Sequence, residues 1–375
     1  MKKILFLLSM LLVCTLLSAQ ELSNFMRRAP IISPEINGEN ITFRFVAPKA
    51  KEVKLYGAWM QSYTSTIPLV MKDSIWEVTF KTPPPEIYTY NFFVDGVAVS
   101  DPNNILMQRD GTRYLSMLFV EGEKTANYKE AGKRGSLNIV WYDSPVLDMN
   151  RRMYVYTPYG YNANNQNYPV LYLLHGGGGD EDAWSNMGRA CEILDNLIEQ
   201  GKAKPMIVVM PNGNPGQQAA KPLMLPEKPF TYGDPSTANL YINSLAKDIV
   251  PFIEKNYRVI AERDSRAVSG LSMGGGHTMS IANAYPGMFG YIAPMSMGIR
   301  GEQDIDKDLQ ALKKAGYKLY WLACGSDDFA FPWAKLLDEA LTRNGLEHTF
   351  HVTGGGHTWA NWREYLNTLA PMLFK

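Results

Sequence analysis

The segment Arg266–Gly287 constrains the fold more than any other. Arg266–Ser269 (R-A-V-S) is short and partly β-branched, as a buried strand is. Gly270-Leu271-Ser272-Met273-Gly274 follows, and from Gly275 a helical stretch runs on to the stop at Pro286-Gly287. A G-x-S-x-G set between strand and helix is the setting in which a serine is held up at the top of a sheet by a sharp, strained turn. The flanking glycines fit because such a turn leaves no room for Cβ atoms.

What surrounds that turn is an alternation of strands and helices. From Leu137 onward, apolar runs at Leu137–Trp141, Met153–Thr157, Val170–Leu174, Met206–Met210, Ala267–Ser269, Tyr291–Met295, Leu319–Ala323 and Thr349–Val352 read as strands. Helical spacing fits between them at Thr237–Asn256, Asp304–Ala315, Trp333–Asn344 and Ala360–Leu373. This predicts an α/β architecture, a doubly wound and mostly parallel sheet, with ligands at the carboxyl ends of the strands.

The N-terminal part has a different texture. Short alternating runs at Ile41–Val46, Val53–Tyr56, Trp76–Phe80, Tyr88–Val94 and Tyr114–Phe119 are separated by Pro, Gly and Asp turns. Asp95-Gly96 signals a tight hairpin. These predict a small all-β, immunoglobulin-like sandwich over 21–125. A polar stretch over 126–136 reads as a linker, and 137–375 as the α/β domain. Residues 1–20 read as a signal peptide: Lys2-Lys3, an apolar run from Ile4 to Leu17, then small residues up to Ala19. Export to the periplasm or outside is expected. Val13 before Cys14 fits a lipoprotein box poorly, so a lipid-anchored form is the lesser expectation.

Composition excludes several classes. Lys+Arg and Asp+Glu both number 37, so no overall basic character suggests nucleic acid. No run after the leader is apolar enough to cross a bilayer. Past the leader only Cys191 and Cys324 remain, which is no disulfide framework; two buried thiols are expected.

A serine hydroxyl needs a base to take its proton, and the base needs an orienting acid. On such a sheet the chain order is Ser, then Asp or Glu, then His. Of five histidines, His357 alone sits on a glycine-rich loop (Gly354–Trp359) after the last strand, so it is the expected base for Ser272. The acid should follow Leu319–Ala323, where Asp327 and Asp328 are adjacent. Neighbouring residues of an extended segment point opposite ways, so only one of them can orient the imidazole. Asp328 is preferred, with Pro332 four residues on fitting a turn into a helix. Two backbone N–H groups should hold the developing oxyanion, that of Met273 and one from His175–Gly179 (H-G-G-G-G), with Gly177 preferred to Gly176. No G-K-[S/T] follows these glycines, which argues against a phosphate loop. No metal or cofactor is called for.

Leu173–Trp184 (L-L-H-G-G-G-G-D-E-D-A-W), Gly270–Gly276 (G-L-S-M-G-G-G), Ala323–Phe329 (A-C-G-S-D-D-F) and Gly354–Trp359 (G-G-G-H-T-W) resemble carbohydrate esterase family 1. That group contains feruloyl and acetyl xylan esterases of the esterase D-like α/β-hydrolases. The resemblance covers about residues 137–375. It implies the α/β-hydrolase fold, Asp328 as the acid, and hydrolysis of ester groups on plant xylan, feruloyl esters first and acetyl esters second. The N-terminal region, with Val53–Trp59 and the hairpin at Tyr88–Gly96, resembles the early-set immunoglobulin-like domains grouped with carbohydrate-binding module family 48. A siderophore (catecholate) esterase and a glycan-binding protein with an inactive hydrolase domain are the competing expectations. Trp59, Tyr63 and Trp76 are expected to be core rather than sugar platforms. Phe230 and Tyr232, in the long insert 211–235, and Trp359 beside the base are candidate substrate contacts. Asp180, Trp184 and His277 are expected to support the site.

Overall fold

A computed structural model of the chain describes residues 31–60, 62, 64–220, 239–301 and 304–375. The chain divides into two compact units, one of residues up to Thr82 with Tyr90–Leu106, the other of Pro83–Thr89 with Met107–Lys375.

The first unit is all-β. Strands β1 (Glu35–Asn37), β2 (Asn40–Phe45), β5 (Val70–Lys72) and β6 (Ile75–Lys81) form an antiparallel sheet in the order β1-β2-β6-β5. Strand β3 (Val53–Gly57) pairs with β4 (Ile67–Pro68) and with β7 (Glu86–Val94), which turns through Asp95-Gly96 into β8 (Val97–Val99). Alternate residues of β2 and β3 point inward, so Ile41, Phe43, Val53 and Leu55 are fully buried. The two sheets meet as a sandwich through Phe43, whose ring lies 5.0 Å from Tyr90 and 6.5 Å from Phe92. Trp59 packs over Gly57 and stacks on Phe43 at 5.7 Å. Trp76 is buried, with its Nε1–H donating to the Ala47 carbonyl at 2.9 Å. Both are therefore packing residues; Tyr63 lies outside the described residues.

The second unit opens with a hairpin, β9 (Met107–Asp110) and β10 (Arg113–Val120), whose turn carries Gly111 at φ 58°. The hairpin continues the sheet of β3 and β7, in the order β4-β3-β7-β10-β9, as a sandwich reaching past 106 requires, while its contacts group it with the second unit. The physical reason is that β9 bonds to the 180–186 segment, as described below. The expected linker is partly ordered as a 3-10 helix, Glu123–Tyr128.

Eight strands then form the main sheet: β11 (Ser136–Ser144), β12 (Met149–Thr157), β13 (Val170–Leu174), β14 (Ile207–Pro211), β15 (Arg266–Leu271), β16 (Tyr291–Met295), β17 (Leu319–Gly325) and β18 (Thr349–Thr353). Their order is β11-β12-β14-β13-β15-β16-β17-β18, antiparallel from β11 to β14 and parallel beyond. The central strands are continuously apolar because both faces are covered. Tyr172, Leu174 and Val268 face Leu245, Ile249 and Ile281. Leu171, Leu173 and Ala267 face Ile193, Leu194 and Leu366 on the opposite side. Helix Ala190–Glu199, which supplies two of these, was not anticipated. The expected helix over 237–256 is described from Leu240 and contains one π-helical stretch, Leu245–Ile249.

Strand β14 lies on one side of β13 and β15 on the other. The strand order reverses there, which opens a crevice at the carboxyl ends of β13 and β15. His175–Gly179 and Ser272 sit at those two ends. Among the described residues no helix is long and apolar enough to cross a membrane. The leader lies outside the described residues. Cys324 is buried and Cys191 half-buried, both free.

Candidate active site

Ser272 occupies the sharp turn between β15 and helix Met273–Ala284, at φ 52° and ψ −115°. A non-glycine residue there is strained by about 1–3 kcal/mol, which the surroundings must impose. They do so through contacts that exclude side chains. A Cβ on Gly270 would stand 2.5 Å from the Gly274 carbonyl oxygen, and one on Gly274 would stand 2.5 Å from that of Leu174. The Ser272 N–H donates to the Met295 carbonyl at 2.9 Å. The chain is thus pinned on both sides of the serine.

His357 Nε2 lies 2.9 Å from Ser272 Oγ. Its Nδ1 lies 2.9 and 3.0 Å from the two carboxylate oxygens of Asp328. The carboxylate fixes the proton on Nδ1 and leaves Nε2 free to accept from the serine hydroxyl. Asp327 is exposed and points elsewhere, its N–H donating to the Gly355 carbonyl. Asp328 is 3% exposed. Burial alone would push its carboxyl up; bonds from His357, the Ala330 N–H and Ser296 together hold it below its ordinary value. Ser296 also accepts a hydrogen bond from Trp362 Nε1 at 3.0 Å. The imidazole is flanked by Phe329, centroids 4.2 Å apart, and by the edge-on Trp362 at 5.0 Å.

The glycine loop after β13 comes up against the serine. A Cβ on Gly176 would meet Leu271 Cδ1 at 2.5 Å and Ser272 Cβ at 3.4 Å. His175 anchors this loop from below. Its Nδ1–H donates to the Gly176 carbonyl at 2.8 Å, and its Nε2 accepts the Gly213 N–H at 2.8 Å. That pair of bonds requires the neutral ring, and burial pushes the imidazole down. Gly176, Gly177, Ser272, His357 and Trp359 line a pocket of about 220 Å³. Met273 is the first residue of the helix, where backbone N–H groups lack intrahelical acceptors. Trp359 also packs edge-on against Trp184, whose Nε1–H donates to the Leu174 carbonyl. Phe230 and Tyr232 lie outside the described residues. Among the described residues no group of three or more His, Cys, Asp or Glu could hold a metal ion.

Three acidic residues behind the loop carry more than the sequence reading gave them. Asp180 and Asp182 bracket Arg109 of the β9–β10 hairpin, with Nη2 2.5 Å from Asp180 and Nε 2.9 Å from Asp182. All three side chains are at least nine-tenths buried. Burial opposes the charge on Arg109, but the two carboxylates outweigh it and hold the guanidinium firmly protonated. Arg109 Nη1 also donates to the Gly111 carbonyl at 2.6 Å. Between them Glu181 accepts from Arg152, Asn212 and the Ala220 N–H. The signal in the sequence was the D-E-D run itself, whose partners are too far along the chain to read.

The Esterase family model matches residues 144–373. The chain is 31% identical over 355 residues to an endo-1,4-beta-xylanase/feruloyl esterase of Xylanibacter ruminicola, which covers 91% of this chain and 46% of that protein. It is 26% identical over 260 residues to endo-1,4-beta-xylanase Y of Acetivibrio thermocellus, covering 61% of this chain and 22% of that one. The chain thus spans less than half the length of these relatives. Among solved structures, a ferulic acid esterase from Anaeromyces mucronatus matches with TM-score 0.56 and 25% identity over 68% of this chain and 96% of its own. The enterobactin esterase of Shigella flexneri matches 91% of this chain and 96% of its own, with TM-score 0.64 at 16% identity, a likeness of fold alone. Since the family model spans more than half of its residues, the chain belongs to the Esterase family, on the α/β-hydrolase fold.

Proposed function

We propose that the chain is an exported serine esterase that removes ester decorations from plant cell-wall polysaccharide, a feruloyl esterase acting on feruloylated xylan. The observation that carries the chemistry is the bonded series Ser272 Oγ, His357 and Asp328, at 2.9 Å and 2.9–3.0 Å. Ser272 Oγ attacks the ester carbonyl while His357 Nε2 takes its proton. The tetrahedral oxyanion is held by the N–H groups of Gly177 and Met273, each such donor being worth about 3–4 kcal/mol. The imidazolium, stabilised by Asp328, returns its proton to the departing sugar oxygen. The acyl-enzyme is then cleaved by water, with His357 again as base.

The feruloyl substrate is supported by the relative named a xylanase/feruloyl esterase and by the ferulic acid esterase structure. Trp359 offers the pocket an aromatic wall for such an acid. Export through the leader Met1–Ala19 suits a polymeric substrate outside the cell.

A panel of feruloylated arabinoxylan, methyl ferulate, acetylated xylan and a catecholate triester tests the proposal. Turnover of both feruloyl esters well above the rest is expected. Preference for acetyl or catecholate esters contradicts the substrate assignment. Absence of labelling by a fluorophosphonate probe contradicts the serine mechanism.

A further inference from the structure

The pocket at Ser272 is small. Its volume of about 220 Å³ falls short of the roughly 300–1,000 Å³ that clefts for ligands of ordinary size provide. A polysaccharide ester places an acyl group on one side of the reacting carbonyl and a sugar chain on the other, so the rest must extend along the surface. A second, larger groove of about 830 Å³ shares the walls Arg109, Gly111, Gly177 and Gly179 with that pocket. Its other walls are Arg113, Tyr114, Asn214 and Gln217.

This groove has the chemistry of a site for a neutral, hydroxyl-rich chain. Tyr114 presents an aromatic ring that is 53% exposed, an apolar face with a polar tip. Arg113, ion-paired with Asp110, and the two amides set donors and acceptors around it. The groove is also built rigidly onto the catalytic loop. A Cβ on Gly111 would stand 2.8 Å from the Gly178 carbonyl oxygen, so the hairpin tip lies directly on the glycine loop. Arg109 locks it there through Asp180 and Asp182. Asn214 Nδ2 donates to the Gly179 carbonyl at 2.9 Å from the opposite side. The hairpin precedes residue 144, where the family match begins, and its strands continue the sheet of β3 and β7.

We propose that this groove binds the polysaccharide side of the ester, with Tyr114 and Arg113 as its specificity-determining residues. The inference rests on the esterase reading above.

Two substrates with one acyl group test it, methyl ferulate and a feruloylated arabinoxylo-oligosaccharide. In Tyr114→Ala, kcat/KM for the oligosaccharide relative to methyl ferulate should fall about tenfold, carried by KM. Arg113→Ala should lower the ratio in the same sense, and Tyr114→Phe should keep it within about threefold of the wild-type value. An active wild-type enzyme whose ratio survives both alanine substitutions overturns the groove assignment alone. A wild-type enzyme that turns over neither ester overturns the proposed function, and this inference with it.

Discussion

Arg109 and Asp180 meet at 2.5 Å, each less than a tenth exposed, although 71 residues separate them in the chain. One belongs to a hairpin before the family-matched region and the other to the loop behind Ser272. Arg109→Met would leave Asp180 and Asp182 buried without their cation. Losing one partner of such a site costs about 3–5 kcal/mol. The urea midpoint should fall accordingly, and kcat should fall with it as the glycine loop loses its brace. An unchanged midpoint would contradict the bracing role.

The two adjacent aspartates should separate sharply. Asp328→Asn keeps the shape but loses control of the His357 tautomer, and kcat should drop by roughly 10⁴. Asp327→Asn, on an exposed side chain, should stay within a few-fold. Steady-state kinetics on methyl ferulate reads both, and a reversed order would reassign the acid.

Glycines of the elbow differ in what they tolerate. Gly274→Ala drives a Cβ against the backbone oxygens of Leu174 and His175 at 2.5 and 2.6 Å, so destabilisation of at least about 3 kcal/mol or insoluble protein is expected. At Gly276 the nearest atoms stand 3.9 Å away, inside a helix. Gly276→Ala should be neutral or stabilising by up to about 1 kcal/mol. Thermal melting of the two variants distinguishes them.

Acid should loosen the glycine loop before it protonates Asp328. The folded value of His175 lies below its ordinary one near 6.5, so the unfolded chain takes up the proton first. Stability from this site is therefore complete above about pH 6.5 and is lost as pH falls, by at most about 1.4 kcal/mol per pH unit. Asp328 is also depressed, but its contribution is lost only below the ordinary carboxylate range. His175→Gln, which can still accept from Gly213, should flatten the urea midpoint between pH 6.5 and 5. An identical slope in the variant would contradict the neutral, anchoring imidazole.

Much of the fold was readable because burial leaves a local mark. Val170–Leu174 and Tyr291–Met295 are uninterrupted apolar runs, and both are strands with those bounds, covered on both faces. His357 was readable from the glycine loop after the last strand. Asp327 and Asp328 differ by one step in a turn, and only the fold shows which side chain reaches the imidazole. Arg109 left no mark at all. Its partners are 71 and 73 residues away, and an ion cage between distant segments has no period and no composition. The same holds for the contact of the hairpin tip, at Gly111, with the Gly178 carbonyl of the glycine loop.

The central claim is that Ser272 is the nucleophile, and a single substitution tests it most directly. In Ser272→Ala, turnover of a feruloyl ester should fall by at least about a thousandfold while the melting temperature stays at or above that of the parent, since a strained hydroxyl-bearing turn has lost only its oxygen. Fluorophosphonate labelling of the parent should map to Ser272 and vanish in the variant. Turnover comparable to the parent in folded Ser272→Ala would contradict the account.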